Sequence, residues 1–305
     1  MIKGIAGMKK TAPMFLLILF SVSVFVSVQA QGETERGEAI ENVLQDSSGA
    51  FSCVFDGVKH GFLLELPEKS EGAPLVLMLP GYGNTAEAFR TEVHFEEKAN
   101  AEGYVIAYVT GAPDPNAPTS AVGWHSALDT EGNRDTEFLI ALTRYLQETY
   151  LLDQARTYAV GFSNGACMVH CLAMEAGEVF SAFVSVAGLM PESVWEARRE
   201  TNALSFFQIT GEKDPVVPKN SDGSARYAKA PAIEDVMEYW ADSNDLELLE
   251  TKSIGNGSML TRYGSGEKPQ QVWHLFVKDG RHSWPSEKYN RIDTNALILE
   301  FLEKQ

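Results

Sequence analysis

Thr157-Tyr-Ala-Val-Gly-Phe-Ser-Asn-Gly-Ala-Cys-Met168 contains a G-x-S-x-G, Gly161-Phe162-Ser163-Asn164-Gly165. A β-prone run, Tyr158 to Val160, leads into it, and a helix-prone run, Ala166 to Ala176, leads out. This is the strand–turn–helix setting in which a sharp turn presents a serine hydroxyl outward. Side chains two residues before and two after would collide in such a turn, and glycine stands at both places. A serine held this way needs an oxyanion loop upstream, then an acid, then a histidine, in that chain order.

The chain around it alternates strands and helices. Phe51 to Phe55 and His60 to Leu66 read as two strands joined at Asp56-Gly57, a strong hairpin signal. Pro74 to Pro80 is a continuous apolar run, as expected of a strand buried on both faces of a parallel sheet. It empties into Gly81-Tyr82-Gly83-Asn84, and a helix is expected from Thr85 to about Ala101. Tyr104 to Val109 is the next buried strand. Gly111 to Asn133 is a long loop carrying Gly123-Trp124-His125, and loops of this length are usually functional or mobile. A helix follows over Asp135 to Glu148, with Asp135 read as its cap. Further strands are expected at Phe180 to Val186, Leu204 to Thr210 and Val272 to Val277, with helices at Ile233 to Ser243 and Thr294 to Leu302. The alternation predicts one α/β domain built on a doubly wound, mostly parallel sheet.

Four candidates fall just past predicted strands, where sites in open α/β sheets lie: Tyr82, Ser163, Asp214 and His282. A serine hydroxyl needs a neighbouring base, and His282 can take its proton near neutral pH. Asp214 would fix the imidazole tautomer and stabilise the imidazolium. Glu212, two residues earlier, is its rival. The backbone amides of Asn164 and Tyr82 would receive the oxyanion. Trp124, His125 and Trp284 are candidates for the substrate pocket. His274 lies within a predicted strand and is a worse candidate than His282 by position, and His60, His94 and His170 read as packing or surface residues.

The sequence has 305 residues and a formal net charge of −17. Such a charge argues against nucleic acid and anionic lipid as partners. Residues 1–30 read as a secretory signal: Lys9 and Lys10, an apolar run from Phe15 to Val28, then Val28-Gln29-Ala30. That run is short for a membrane span, so no stable membrane association is expected once it is removed, and an extracytoplasmic location follows. Met8 is an alternative start. Residues 31–50 are polar and acidic and read as a mobile leader, with the catalytic domain over 51–305. Three cysteines, Cys53, Cys167 and Cys171, leave at least one free thiol. Cys167 and Cys171 sit one helical turn apart, which is poor geometry for a bridge, and no metal site is expected.

From about Asp56 onward the chain resembles the secreted esterase family that includes polyhydroxybutyrate depolymerases, feruloyl esterases and acetylxylan esterases of carbohydrate esterase family one. Leu79-Pro80-Gly81-Tyr82-Gly83 resembles the family's oxyanion loop, Trp124-His125-Ser126 its Trp-Asn-Ala stretch, and Asp135 to Leu139 its Asp-Val-x-Phe-Leu helix start. Gly211 to Pro218 resembles the acid loop, and His282-Ser283-Trp284-Pro285 its His-Thr-Trp-Pro. The resemblance implies an α/β-hydrolase fold, an acyl-serine intermediate, no cofactor, and a small ester or an esterified polysaccharide or polyester as substrate. It favours Asp214 over Glu212. Pro80 stands where the family usually has His, and His125 where Asn is common. A serine peptidase of similar fold and a non-catalytic binding protein on a hydrolase shell are the alternatives.

Overall fold

The computed structural model describes residues 39–117, 119, 121–126, 134–198, 204–219 and 229–305. The signal expected over 1–30 lies outside the described residues, as does 31–38 of the expected leader. In chain order the strands are β1 (Glu41–Gln45), β2 (Phe51–Phe55), β3 (Val58–Glu65), β4 (Leu75–Leu79), β5 (Val105–Thr110), β6 (Ala112–Pro113), β7 (Val122–Gly123), β8 (Thr157–Phe162), β9 (Ala182–Val186), β10 (Ser205–Gly211), β11 (Glu247–Ile254), β12 (Ser258–Gly264) and β13 (Val272–Val277). The helices are α1 (Ala86–Val93), α2 (Phe95–Ala99), α3 (Asp135–Tyr150), α4 (Asn164–Glu175), α5 (Glu192–Glu196), α6 (Ile233–Ser243), α7 (Glu287–Asn290) and α8 (Thr294–Leu302).

Eleven of the strands form one sheet in the order β1-β2-β3-β5-β4-β8-β9-β10-β13-β12-β11. The run from β5 to β13 is parallel, and antiparallel strands extend it at both ends. Successive side chains of a strand point to opposite faces, so a strand covered on both sides must be apolar throughout. In β4 all five residues are fully buried. Leu75, Leu77 and Leu79 join the apolar layer that holds Phe138 and Leu142 of α3, Leu172 of α4 and Trp240 of α6. Val76 and Met78 join the opposite layer, with Phe89 of α1 and Ile298 and Phe301 of α8.

The chain leaves β4 toward β5 on one side and returns through β8 on the other. Such a reversal opens a crevice at the carboxyl ends of the two strands. The loops after β4 and β8 are those carrying Tyr82 and Ser163.

Two expectations are corrected. The leader does not stay outside the fold over its described part: Glu41–Gln45 pairs antiparallel with β2 as an edge strand. The Asp46 carboxylate fixes the turn that brings it back, accepting from the N–H groups of Ser48 and Ala50. The single helix expected from Thr85 to Ala101 is broken at His94, which sits at φ 47°. The break leaves the Phe95 N–H free to donate to the Tyr108 hydroxyl, which in turn donates to the buried Glu96. The hairpin of β11 and β12 went unexpected. Its turn is Gly255-Asn256-Gly257, with both glycines at positive φ. The hairpin expected at Asp56-Gly57 is present, and both residues lie at positive φ as such a two-residue turn requires.

Among the described residues no helix is long and apolar enough to cross a membrane. The long loop of 111–133 contains the short ribbon of β6 and β7, and its residues 118, 120 and 127–133 lie outside the described residues.

Candidate active site

Ser163 closes β8 and opens α4 at φ 53°, ψ −115°. A non-glycine residue in that region costs of order 1–3 kcal/mol and persists only where its surroundings hold it. Here the Ser163 N–H donates to Val186 O at 2.9 Å, and the two flanking glycines allow backbone to touch backbone. A Cβ on Gly161 would lie 2.2 Å from Gly165 O, and one on Gly165 would lie 2.1 Å from Leu79 O. No side chain fits at either place.

His282 lies past β13 with its ring between Ser163 and Asp214. Its Nε2 is 2.9 Å from Ser163 Oγ, and its Nδ1 is 2.8 Å from Asp214 Oδ2. The other carboxylate oxygen, Oδ1, accepts from the N–H groups of Val216 and Val217, each at 2.8 Å. The Asp214 side chain is fully buried. Its carboxylate orientation is therefore fixed from one side by backbone and from the other by imidazole.

Acid loop and histidine loop are laced together where β10 and β13 end. Glu212 N–H donates to Val277 O and Lys213 N–H to Gly280 O. Gly211 and Gly280 approach so closely that a Cβ on Gly211 would lie 2.7 Å from Gly280 O. The rival acid, Glu212, turns the other way and accepts from Asp279 N–H. The structure brings Asp214, and not Glu212, to His282.

The opposite wall is the loop after β4. A Cβ on Gly81 would lie 3.3 Å from Ser163 Cβ, so this loop runs directly beside the serine. Tyr82 follows, and Asn164 is the first residue of α4, where the leading N–H groups of a helix lack intrahelical partners and the helix dipole favours negative charge. The Tyr82 hydroxyl donates to Asp114 Oδ2 at 2.8 Å, and its ring lies across Gly123, where a Cβ would come 2.7 Å from Tyr82 Cδ2. The hydrogen bond holds the Tyr82 hydroxyl above its usual pKa and the Asp114 carboxyl below its own.

Trp124, a candidate for the pocket, is buried, with its indole N–H donating to Pro80 O at 3.1 Å. Its backbone N–H donates to Asn164 Oδ1 at 2.7 Å, and its carbonyl accepts from Asn164 Nδ2 at 2.9 Å. Trp124 therefore ties the oxyanion-loop carbonyl at Pro80 to the first residue after the serine. This strut gives the Pro80 loop a support that does not depend on the residue type at position 80.

His125 is half-exposed. Its backbone N–H and Nδ1 both meet Asp135 Oδ2, at 2.8 and 3.2 Å. Asp135 is the first residue of α3 rather than its cap, which is Arg134. Burial raises the Asp135 carboxyl, and the His125 contacts oppose that rise. Trp284 is half-buried, packed edge-on to Phe89 and bonded through Nε1 to Asn295 Oδ1 at 3.0 Å.

The other histidines are placed by packing. His60 stacks on Phe138 and His170 on Phe206, and burial pushes them down to about 4 and about 3. His274, inside β13, is likewise lowered to about 4, and His94 caps the break between α1 and α2. Cys53 and Cys171 are buried thiols outside any disulfide. Among the described residues no group of three or more His, Cys, Asp or Glu could hold a metal ion. The residues missed in the sequence, Asp114 and the Asn164 side chain, act across more than thirty positions and carry no local signal.

A strained serine between two close-packed glycines, with an imidazole and a carboxylate in line, on a sheet of this topology, defines an α/β-hydrolase. The comparisons narrow the class. The family model of the prolyl oligopeptidase family (Peptidase_S9) matches residues 99–239. The protein named "Putative esterase NocK", from Nocardia uniformis subsp. tsuyamanensis, is 32% identical over 242 residues, covering 72% of this chain and 67% of that one. Acetylxylan esterase A of Talaromyces purpureogenus is 22% identical over 67% of this chain and 52% of its own length. Feruloyl esterase B of Talaromyces funiculosus is 26% identical over 41% of this chain. The chain spans about a third to a half of these two fungal esterases. The solved acetyl xylan esterase from Aspergillus awamori superposes with a TM-score of 0.61 over 81% of this chain and 94% of its own, at 12% identity, and so shares the fold. The chain belongs to the α/β-hydrolase esterase family, whose members are serine carboxylic-ester hydrolases.

Proposed function

We propose that Ser163, His282 and Asp214 hydrolyse a carboxylic ester in two steps. His282 Nε2 takes the Ser163 proton as Oγ attacks the ester carbonyl. The tetrahedral oxyanion is received by the backbone N–H groups of Tyr82 and Asn164. The C–O bond to the alcohol then breaks, and His282 returns its proton to the leaving alkoxide, which leaves acyl-Ser163. Water enters, gives a proton to His282 and attacks the acyl carbon. The carboxylic acid departs as Ser163 regains its proton. Asp214 holds the tautomer with the proton on Nδ1 and offsets the imidazolium charge. The observation that carries this reading is the Ser163 Oγ–His282 Nε2 distance of 2.9 Å, continued to Asp214 at 2.8 Å.

The substrate class is an acetyl or feruloyl ester of plant polysaccharide, supported by the names of the fungal relatives, with hydroxyalkanoate esters as the other class that the sequence resemblance implies. The protein acts outside the cytoplasm, a reading supported by the signal-like residues 1–30. The prolyl oligopeptidase family match favours one second reading, amide cleavage by the same residues.

The test is a hydrolysis panel on residues 31–305 with Ser163→Ala as blank: p-nitrophenyl acetate and butyrate, methyl ferulate, acetylated xylan, a hydroxybutyrate oligomer and a prolyl anilide. Ester turnover absent from the blank is expected. Turnover of the anilide alone would replace the esterase reading by the peptidase one. A folded protein that turns over nothing would leave the binding-protein reading.

A further inference from the structure

The loop after β4 is a turn docked beside the β6–β7 ribbon. Asn84 N–H donates to Gly81 O at 3.1 Å and Gly83 sits at φ 77°, so Tyr82 and Gly83 are the central residues of a β-turn. The turn bond uses the Gly81 carbonyl and the Asn84 amide, and leaves the Tyr82 N–H to face outward. Both flanks are tied down: Pro80 O accepts from the Trp124 indole at 3.1 Å, and Gly83 N–H donates to Val122 O at 2.7 Å. Between these ties stands Tyr82 itself, whose hydroxyl donates to Asp114 Oδ2 at 2.8 Å. We propose that Asp114 is a positioning residue: by holding the Tyr82 hydroxyl it keeps the Tyr82 N–H aimed at the developing oxyanion. The proposal rests on the ester-hydrolase reading above and deepens it.

The acceptor is itself fixed. Asp114 N–H donates to Ala121 O across the ribbon at 2.8 Å, and its Oδ1 accepts from Asn116 N–H at 2.8 Å, which leaves Oδ2 for Tyr82. The ribbon is closed tightly, since a Cβ on Gly111 would lie 2.4 Å from Gly123 O. It also passes close under the tyrosine ring. A Cβ on Gly123 would lie 2.7 Å from Tyr82 Cδ2 and 3.2 Å from Asn164 Oδ1. Ring, ribbon and the first residue after the serine are therefore in contact, and the two oxyanion donors, Tyr82 and Asn164, belong to one packed unit.

Core packing does not account for the contact. Tyr82 is 55% exposed, so its ring buries little apolar surface. What the contact supplies is position. Oxyanion donors work because they are oriented before the charge develops, so a loosened donor loses part of what a missing donor loses entirely. The Tyr82 hydroxyl and the Asn116 N–H hold the Asp114 carboxyl below its ordinary value, so the acceptor stays charged at neutral pH. A charged acceptor makes the stronger bond.

The experiment is a double-variant cycle on p-nitrophenyl acetate with Tyr82→Phe, Asp114→Ala, the two together, and Asp114→Asn. Rates are taken per reactive serine, counted by phosphonate labelling, which cancels any loss of folded enzyme. Tyr82→Phe and Asp114→Ala should each lower kcat and kcat/KM together by about tenfold, less than the roughly 10²–10³ of a donor removed outright. The pair should lose no more than about twofold beyond either alone, because both changes break one contact. Asp114→Asn should recover most of the loss: its oxygen can serve Asn116 N–H while its NH₂ donates to the Tyr82 hydroxyl, which then accepts. A trifluoromethyl ketone, whose adduct on Ser163 carries an oxyanion in the same place, should bind more weakly by the same factor as kcat/KM. Losses below about threefold, losses that multiply in the pair, no recovery in Asp114→Asn, a rise in KM alone, or an unchanged ketone affinity would each overturn the assignment. Failure of the esterase reading shows differently, as no ester turnover by the wild type. The same cycle on the prolyl anilide then decides the role of Asp114, because amide cleavage passes through the same oxyanion, and a wild type that cleaves neither substrate would overturn both.

Discussion

Asp214→Asn isolates one contact in the proposed relay and has an outcome fixed by the surrounding backbone. Oδ1 of Asp214 accepts two N–H groups, from Val216 and Val217, and Oδ2 faces His282 Nδ1. An asparagine there has one oxygen and one NH₂. If the NH₂ faced the two amides, three donors would meet in a buried place, leaving unpaired groups at about 1–3 kcal/mol each. The oxygen must therefore take the Oδ1 position and the NH₂ must face the imidazole. Nδ1 then becomes an acceptor, and the proton of neutral His282 moves to Nε2, facing Ser163 Oγ. A ring in that tautomer cannot act as the base. The expected loss in kcat is about 10⁴-fold, or about 5 kcal/mol of barrier, with little change in KM. The assay is p-nitrophenyl acetate turnover against a Ser163→Ala baseline, with circular dichroism to verify the fold. Glu212→Gln, whose amide oxygen can still accept from the Asp279 N–H, should cost less than about threefold. A loss below tenfold in Asp214→Asn, or a larger loss in Glu212→Gln, would refute the tautomer argument.

Ser163→Gly should unfold at higher denaturant than Ser163→Ala by about 1 kcal/mol, because glycine adopts φ 53° without strain and alanine does not. An equal midpoint would show that the elbow stores no strain. Trp124→Phe keeps the buried ring but loses the bond to Pro80 O, and should lower kcat by about tenfold while leaving KM near its wild-type value, as expected when a transition-state contact is displaced. A change in KM alone would return Trp124 to the pocket. Stability should fall in acid through the buried histidines. Their folded pKa values, about 3 for His170 and about 4 for His60, lie below the ordinary value of 6.5, so the unfolded chain binds more protons below that pH. The stability they contribute is full above pH 6.5 and is lost as pH falls toward 3. His170→Leu should therefore flatten the urea midpoint between pH 6.5 and 4, and an unchanged slope would exclude His170 as its source.

The parts of this fold with a strict covalent or steric requirement could be read from the sequence. The elbow needs Gly161 and Gly165 because each would drive a Cβ into a carbonyl, and that need shows as spacing. Strands β4 and β8 are buried on both faces and so read as unbroken apolar runs. Where the cause lies in tertiary contact, the sequence is silent. β1 is exposed on nearly every residue and carries no period, yet it is held by register and by one turn at Asp46. β11 exposes both Leu248 and Leu249, which hides its alternation. At the helix break at His94 the Phe95 N–H is received by the Tyr108 hydroxyl, which comes from β5. Trp124 shows the same limit at the site. Its position in the chain suggested a pocket wall, and only the meeting of the 111–126 segment with Pro80 and Asn164 turns it into a strut.

The most direct test of the central claim is intact-protein and peptide mass spectrometry after reaction with a p-nitrophenyl alkylphosphonate, which transfers its phosphonyl group to an activated serine and mimics the tetrahedral intermediate. One phosphonyl group per chain is expected, on the peptide containing Ser163, appearing in step with the loss of ester turnover and absent from Ser163→Ala. Inactivation with the label on another residue, or continued ester turnover with Ser163 fully labelled, would contradict it.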